Sequence, residues 1–241
     1  MKSGDWVLLS GPRSYVVRVE KKKFSTQHGE IDLGALIGKK YGITVKSHMG
    51  VEFFCLEPRL PDMLRKIRRM PQIITLKDSG IIAAYTGLSK KDVVIEAGTG
   101  SGALCIFLAG IAKKVYSYEI RADFFEVAKK NIRLAGAKNA VLRNKDVCQG
   151  VKEKCDVFVL DMGSPELAVE TAKKCLKPGG YLIVYSPVIE QVQRVYQKLG
   201  GFRYIRTKEI IEREWEIGDN KTRPKTQGIG HTAFLTFARK S

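Results

Sequence analysis

At 241 residues the chain is long enough for one large domain, or for a medium domain joined to a small one. Its 44% hydrophobic content is that of a protein with a real core, yet no run of about 18 apolar residues is available to span a membrane. The net charge of +17 points to a polyanionic partner, RNA or DNA, the alternative being a generally basic, solvated surface.

The positive excess is densest outside the middle of the chain. Residues 1–70 hold 14 Lys and Arg against 7 Asp and Glu, and residues 196–241 hold 10 against 5. The first residues lack the apolar stretch of a signal peptide, so residence in the cytosol is expected. Cysteines stand at 55, 105, 148, 155 and 175, an odd count with no CxxC pair. They read as small buried hydrophobes of a reducing compartment, not as a disulfide or zinc framework. His28, His48 and His231 are not clustered, so no metal site is expected.

In chain order, residues 1–58 read as a small β-rich domain, barrel-like, with short strands at Trp6–Ser10, Ser14–Val19, Gly42–Lys46 and Glu52–Leu56 punctuated by Gly and Pro. Residues 59–72 read as a basic helical linker. There Leu60, Met63, Leu64 and Ile67 are spaced as one helix face, beside Arg65, Lys66, Arg68 and Arg69.

Residues 73–241 alternate strand and helix. Strands are expected at Val93–Ala97, Val115–Glu119, Ala140–Arg143, Val157–Asp161 and Tyr181–Tyr185. Helices are expected at Gly102–Ile111, Ala122–Leu134, Pro165–Leu176 and Ile189–Leu199. Two further strands, Phe202–Ile211 and Thr232–Ala238, follow with no helix between them and should pair antiparallel at one edge. Five βα units finished by such a hairpin form an α/β, Rossmann-like, seven-stranded methyltransferase sheet, whereas nicotinamide dehydrogenases usually end on a sixth parallel strand.

The strongest local signal is Val93-Val-Ile-Glu96-Ala-Gly98-Thr99-Gly100-Ser101-Gly102, a buried strand running into a glycine turn and then a helix. Glycine lets the backbone turn tightly and approach a ligand, and the helix start offers free N–H groups. The pattern is GxGxG, not the dinucleotide GxGxxG. Glu96 would oppose a pyrophosphate and welcome an ammonium, so S-adenosylmethionine suits this loop.

Glu119 stands 19 residues after Gly100, the spacing of a carboxylate that accepts from ribose hydroxyls. Alone it could be a charge at a strand end. Asp146 closes the third strand where the cofactor adenine would lie, or is a plain turn aspartate. Asp161 ends the fourth strand, where active sites of open α/β sheets lie, or is a helix N-cap.

Five segments in order carry a resemblance: Phe24-Ser-Thr-Gln-His-Gly-Glu-Ile31, Pro71-Gln-Ile-Ile-Thr-Leu-Lys-Asp78, Glu96-Ala-Gly-Thr-Gly-Ser-Gly102, Leu160-Asp161 with Pro165, and Gly230-His-Thr-Ala-Phe-Leu-Thr-Phe-Ala-Arg239. Together they resemble the tRNA (adenine-N1)-methyltransferases, which act on adenine 58 of the T-loop and, in some archaeal members, on adenine 57. The glycine motif is common to many methyltransferases; the His-Gly-Glu-Ile and Gly-His-Thr segments are more specific.

The resemblance implies a small N-terminal β-domain, a Rossmann-like catalytic domain, a homotetramer, tRNA as partner and S-adenosylmethionine as cofactor. It implies cofactor contacts at Leu76, Glu96, Gly98, Thr99, Gly100, Ser101, Gly102, Ala103, Glu119, Phe124, Asp146, Val147 and Asp161, with Asp161 also the catalytic aspartate. The chain departs from the family at Thr75-Leu76, where an aromatic residue and proline are usual, and at Glu166, where tryptophan is usual.

N1 of adenine has a lone pair and no proton to lose. Such an enzyme therefore mainly aligns N1 with the methyl group, and a fixed carboxylate near the exocyclic amino group stabilises the growing positive charge. N1 lies on the pairing edge, so the base must leave its stack. Two other readings use the same residues differently. A non-catalytic tRNA-binding subunit would keep fold and charge but lose the cofactor site, and a small-molecule methyltransferase would leave the basic N-terminal domain unexplained.

Overall fold

Glycine turns and short β-branched stretches fold the first part of the chain into strands, and the helix–strand alternation folds the second part into a layered sheet. The structure, a computed structural model, describes residues 1–70, 73–219 and 221–241. Pro71 and Gln72, the end of the expected linker and the start of the Pro71–Asp78 segment, lie outside the described residues. The chain divides into two compact units, Met1–Lys66 and Ile67–Ser241.

The first unit holds β1 (Trp6–Ser10), β2 (Tyr15–Arg18), β3 (Lys23–Thr26), β4 (Gly29–Asp32), β5 (Ile43–Lys46), β6 (Glu52–Leu56) and α1 (Leu60–Lys66). Antiparallel pairing orders four strands β2-β1-β6-β5, and β3–β4 forms a separate hairpin, so the described strands make an open sheet and a ribbon, not a closed barrel. Val7, Leu9, Val17, Val19, Ile31, Leu33, Leu36, Phe53 and Cys55 form its core.

The His28-Gly29-Glu30-Ile31 segment makes the β3–β4 turn and its return strand. Gly29 has φ +98°, and a Cβ there would meet Met49, His48 and Ser47 atoms at about 3 Å. His48 Nδ1 accepts from Glu30 N at 2.7 Å, and Ser47 Oγ donates to the His28 carbonyl at 2.6 Å.

The second unit begins with α2 (Leu76–Thr86), capped by the Thr75 side chain, which accepts from Asp78 N, and closed by Gly87 in the left-handed region. Then come β7 (Val93–Ala97), α3 (Ala103–Ala109), β8 (Lys114–Tyr118), α4 (Ala122–Ala135), β9 (Ala140–Arg143) and β10 (Cys155–Leu160). The chain ends with α5 (Val169–Cys175), β11 (Leu176–Ser186), α6 (Ile189–Tyr196), β12 (Phe202–Glu209), the small hairpin β13 (Trp215–Gly218) and β14 (Lys221–Pro224), and β15 (Phe234–Lys240).

The large sheet has the order β12-β15-β11-β10-β7-β8-β9. Its β11-β10-β7-β8-β9 part is parallel, and β15 runs antiparallel between β11 and β12. This is a Rossmann-like methyltransferase sheet of seven strands. Central strands β7 and β10 are almost wholly buried, as strands covered on both faces must be. Their carboxyl ends, with β8 and β9 on one flank and β11 on the other, open onto one side of the sheet.

Asn131 on α4 joins three parts of this unit. Its Oδ1 accepts from Arg68 N at 3.0 Å, and its Nδ2 donates to the carbonyls of Arg68 and Ser101, each at 2.8 Å. Arg68 is thereby fastened to the back of the glycine turn. Among the described residues no helix is long and apolar enough to cross a membrane.

Candidate active site

The glycine turn leaves β7 at Ala97. Gly98, Gly100 and Gly102 have φ of +89°, +58° and +82°, and Gly102 opens α3. Gly98 N donates to the Tyr118 carbonyl at 2.9 Å, which ties the turn to β8. On the other side Asp161 N donates to the Ala97 carbonyl at 2.8 Å, and a Cβ on Gly98 would sit 1.6 Å from the Asp161 carbonyl oxygen. Only glycine fits there.

Glu119, 3% exposed, directs its carboxylate back at the turn. Oε2 accepts from Gly100 N at 2.9 Å and Oε1 from Arg121 N at 3.0 Å. A carboxylate has about four lone-pair sites, so two remain for a ligand's hydroxyls. The Arg121 guanidinium lies 3.3 Å from the Phe124 ring centre and 3.5 Å from Glu119. Asp146 caps the short turn Val147–Gln149 by accepting from Cys148 N at 2.8 Å.

These residues enclose a cavity of about 680 Å³. Of the residues expected at the site, Gly98, Gly100, Glu119, Phe124, Asp146, Val147 and Asp161 line it. Thr99, Ser101 and Ala103 are buried, as is Gly102, against whose missing side chain α4 packs. Leu76 lies at the first turn of α2, 44% exposed, outside the cavity lining.

Glu96 is also behind the turn and 1% exposed. Its Oε2 accepts from Ser117 Oγ at 2.5 Å, and Ser117 in turn meets Thr99 Oγ1 at 2.7 Å. Burial pushes its carboxyl up to about 8, and the nearby charges of Asp161 and Glu119 add to this against the Ser117 hydrogen bond. Burial likewise raises Asp161 to about 7, Glu119 adds to the rise, and Arg121 opposes it. Asp161 keeps partial solvent contact through the cavity. Three carboxylates thus crowd one end of the site, an arrangement that favours a cationic ligand.

The cavity also uses residues the sequence did not single out. Met162, Gly163, Pro187, Val188 and Gln191 form the wall on the β10–β11 side. Gln191 Nε2 donates to the Gly163 carbonyl at 2.9 Å, and its buried Oε1 has no partner among the described residues. Beside this wall but outside the cavity lining, Tyr185 near the end of β11 is buried, and burial, then the charges of Asp78 and Asp161, push its hydroxyl up. No local pattern marks these positions; only their place at the strand ends could have found them.

The tRNA methyltransferase complex GCD14 subunit family matches residues 60–224. The chain belongs to the tRNA (adenine-N1)-methyltransferase family. A Methanocaldococcus jannaschii relative, "tRNA (adenine(57)-N(1)/adenine(58)-N(1))-methyltransferase TrmI", is 37% identical over 94% of this chain and 91% of its own length. Among solved structures, a SAM-dependent O-methyltransferase from Thermotoga maritima superposes with a TM-score of 0.91 and 32% identity, covering 100% of this chain and 94% of that one. The tRNA (m1A58) methyltransferase TrmI from Aquifex aeolicus gives 0.84 and 28%, covering 100% and 98%. As in other tRNA (adenine-N1)-methyltransferases, the candidate active site is borne on an S-adenosylmethionine-dependent methyltransferase fold.

Proposed function

We propose that this chain transfers the methyl group of S-adenosylmethionine to N1 of an adenine in the tRNA T-loop, at position 58, 57 or both. The observation that carries the reading is the Gly98 turn pressed against Asp161, with Glu119 and Glu96 beside it, at the carboxyl ends of β7, β8 and β10. The dual position is supported by the name of the jannaschii relative.

The residues suit this ligand: glycine backbone at Gly98 and Gly100 facing the cavity, with open space over Gly100, spare acceptor sites on Glu119, and crowded carboxylates that favour a sulfonium and an ammonium. Bound there, S-adenosylmethionine supplies an electrophilic methyl group on a good leaving group. Gly98 and Gly100 hold its amino-acid end, and Glu119 accepts from the ribose. Phe124, Asp146 and Val147 line the adenine side. Thr99, Ser101, Gly102, Ala103 and Glu96 shape the turn from behind, whereas Leu76, exposed and outside the cavity lining, has no place in the set.

Asp161 acts on the acceptor. Its carboxylate accepts from the exocyclic amino group of the target adenine and stabilises the positive charge that develops as N1 is alkylated. No general base is needed at N1. The remaining contribution of the site is alignment and exclusion of water.

The basic excess of residues 1–70, with the 59–72 segment, supplies contacts to tRNA phosphates. We read the working form as a cytosolic homotetramer, a reading supported by apolar side chains left in solvent near the second hairpin: Ile211, Trp215, Ile217 and Ile229 are 71%, 56%, 84% and 65% exposed. Incubating the protein with S-adenosylmethionine and a tRNA transcript, then mapping methylated bases, tests the reading. 1-Methyladenosine confined to the T-loop is expected; methylation elsewhere, or none, counts against it.

A further inference from the structure

Both nitrogens of the His231 ring face acceptors. Nδ1 lies 2.5 Å from Glu209 Oε1, and Nε2 lies 2.9 Å from the Pro187 carbonyl oxygen. A neutral imidazole carries one N–H and can serve only one of these partners. The imidazolium donates to both.

The two partners belong to different parts of the catalytic unit. Glu209 is the last residue of β12. Pro187 directly follows β11, and together with Val188 it lines the 680 Å³ cavity. In the sheet, β11 neighbours β10, whose end carries Asp161, whereas Glu119 and Asp146 follow strands on the other flank. Pro187 and Val188 therefore wall the cavity on the Asp161 side, away from the residues assigned to the ribose and adenine of the cofactor.

The segment that carries His231 is fastened next door. Thr232 Oγ1 accepts from Lys77 Nζ at 2.7 Å, and Lys77 pairs at 2.8 Å with Asp78, whose side chain is fully buried. The Phe234 ring packs 4.9 Å from the imidazole. His231 is thus the joint between an anchored segment and the cavity wall.

We infer that His231 is a positioning residue for methyl transfer: its imidazolium holds the Pro187–Val188 wall in the arrangement that receives the acceptor base, and loss of its proton releases one of the two ties. This rests on the reading of that cavity as the methyl-transfer site. The charged groups facing the ring are Glu209 from β12, which favours the proton, and Lys77 from α2, which opposes it. The hydrogen bond to Glu209, then that to Pro187, raises the ring above the ordinary histidine value.

The test is the pH profile of tRNA methylation at saturating S-adenosylmethionine, in the parent, His231→Gln and Glu209→Gln. The parent should lose about fivefold in kcat/KM for tRNA on the alkaline side, the worth of one hydrogen bond. His231→Gln should hold the lower, alkaline level throughout, with unchanged cofactor affinity. Glu209→Gln should move the alkaline limb to lower pH. A merely structural role would depress the whole profile and leave that limb in place.

Ring titration by NMR reads the same joint without activity, and with three histidines the His231 signal is assignable by its loss in His231→Gln. A midpoint above the ordinary histidine value that falls in Glu209→Gln is expected. An alkaline limb that survives in His231→Gln, or a midpoint at or below the ordinary value, overturns the inference and leaves the function reading standing. A parent that does not methylate tRNA overturns both.

Discussion

The backbone oxygen of Asp161 stands 1.6 Å from the point a Cβ on Gly98 would occupy. The end of β10 and the turn after β7 therefore meet as bare backbone, and this brings Asp161 to the cavity that the turn forms. Gly98→Ala combines that overlap with a left-handed φ of +89°. It should cost at least about 3 kcal/mol of stability and abolish S-adenosylmethionine binding. Gly100→Ala, with open space around its Cβ and φ +58°, should cost about 1–2 kcal/mol. Denaturant unfolding of both checks the contrast; equal costs would mean that the Gly98–Asp161 contact is not a constraint.

Glu119→Ala should weaken S-adenosylmethionine binding by about 1.5–3 kcal/mol, the usual size of hydrogen bonds to a charged group. Because Glu119 helps to raise the Asp161 carboxyl, Glu119→Gln should also shift the acidic limb of the methylation profile to lower pH. Calorimetry and the pH profile read these separately. Unchanged affinity removes Glu119 from the cofactor site.

The crowded carboxylates make a further claim about pH. Asp161, raised to about 7, is neutral below that pH and ionised above it, and Glu96 follows at about 8. A sulfonium is favoured only by the ionised forms. The affinity of S-adenosylmethionine relative to S-adenosylhomocysteine, whose sulfur is neutral, should therefore rise severalfold from about pH 6 to about pH 8. Parallel titrations of the two ligands decide it, and a constant ratio would show that the carboxylates do not sense the sulfonium.

Much of this was legible in the sequence, and what was missed has physical causes. Strands β7 and β9 have the bounds that their β-branched runs predict, and the Gly98–Gly102 turn and Glu119 meet as their spacing requires. Helix α2 went unread because Gly80 interrupts it and its apolar residues form no clear stripe. The β3–β4 ribbon went unread because Lys23–Thr26 and Gly29–Asp32 are largely polar. Hairpin β13–β14 is too short and too polar to show a period. The Pro187 wall and its tie to His231 join residues 44 apart, and Lys77 meets Thr232 across 155. No local pattern encodes such pairs.

The charge excess predicts a salt signature. Binding of tRNA should weaken steeply and linearly on a log–log plot as salt rises, because each phosphate contact releases counterions. Substituting Arg65 and Lys66, both exposed on α1, by glutamine should reduce that slope while leaving S-adenosylmethionine affinity unchanged. Filter binding over a salt series measures it; a flat parent slope would rule out an electrostatic footprint.

Whether the Asp161 carboxylate drives methylation of adenine N1 is read by single-turnover methylation of a tRNA transcript at saturating S-adenosylmethionine. Asp161→Asn keeps the shape and an acceptor oxygen but removes the charge. The variant should fold, bind tRNA and lose no more than severalfold in cofactor affinity, yet form 1-methyladenosine at least about 100-fold more slowly at saturation, the usual size of a lost pre-placed charge. A rate within a few-fold of the parent would contradict that role, and a collapse of cofactor binding with no further loss at saturation would make Asp161 a cofactor ligand instead.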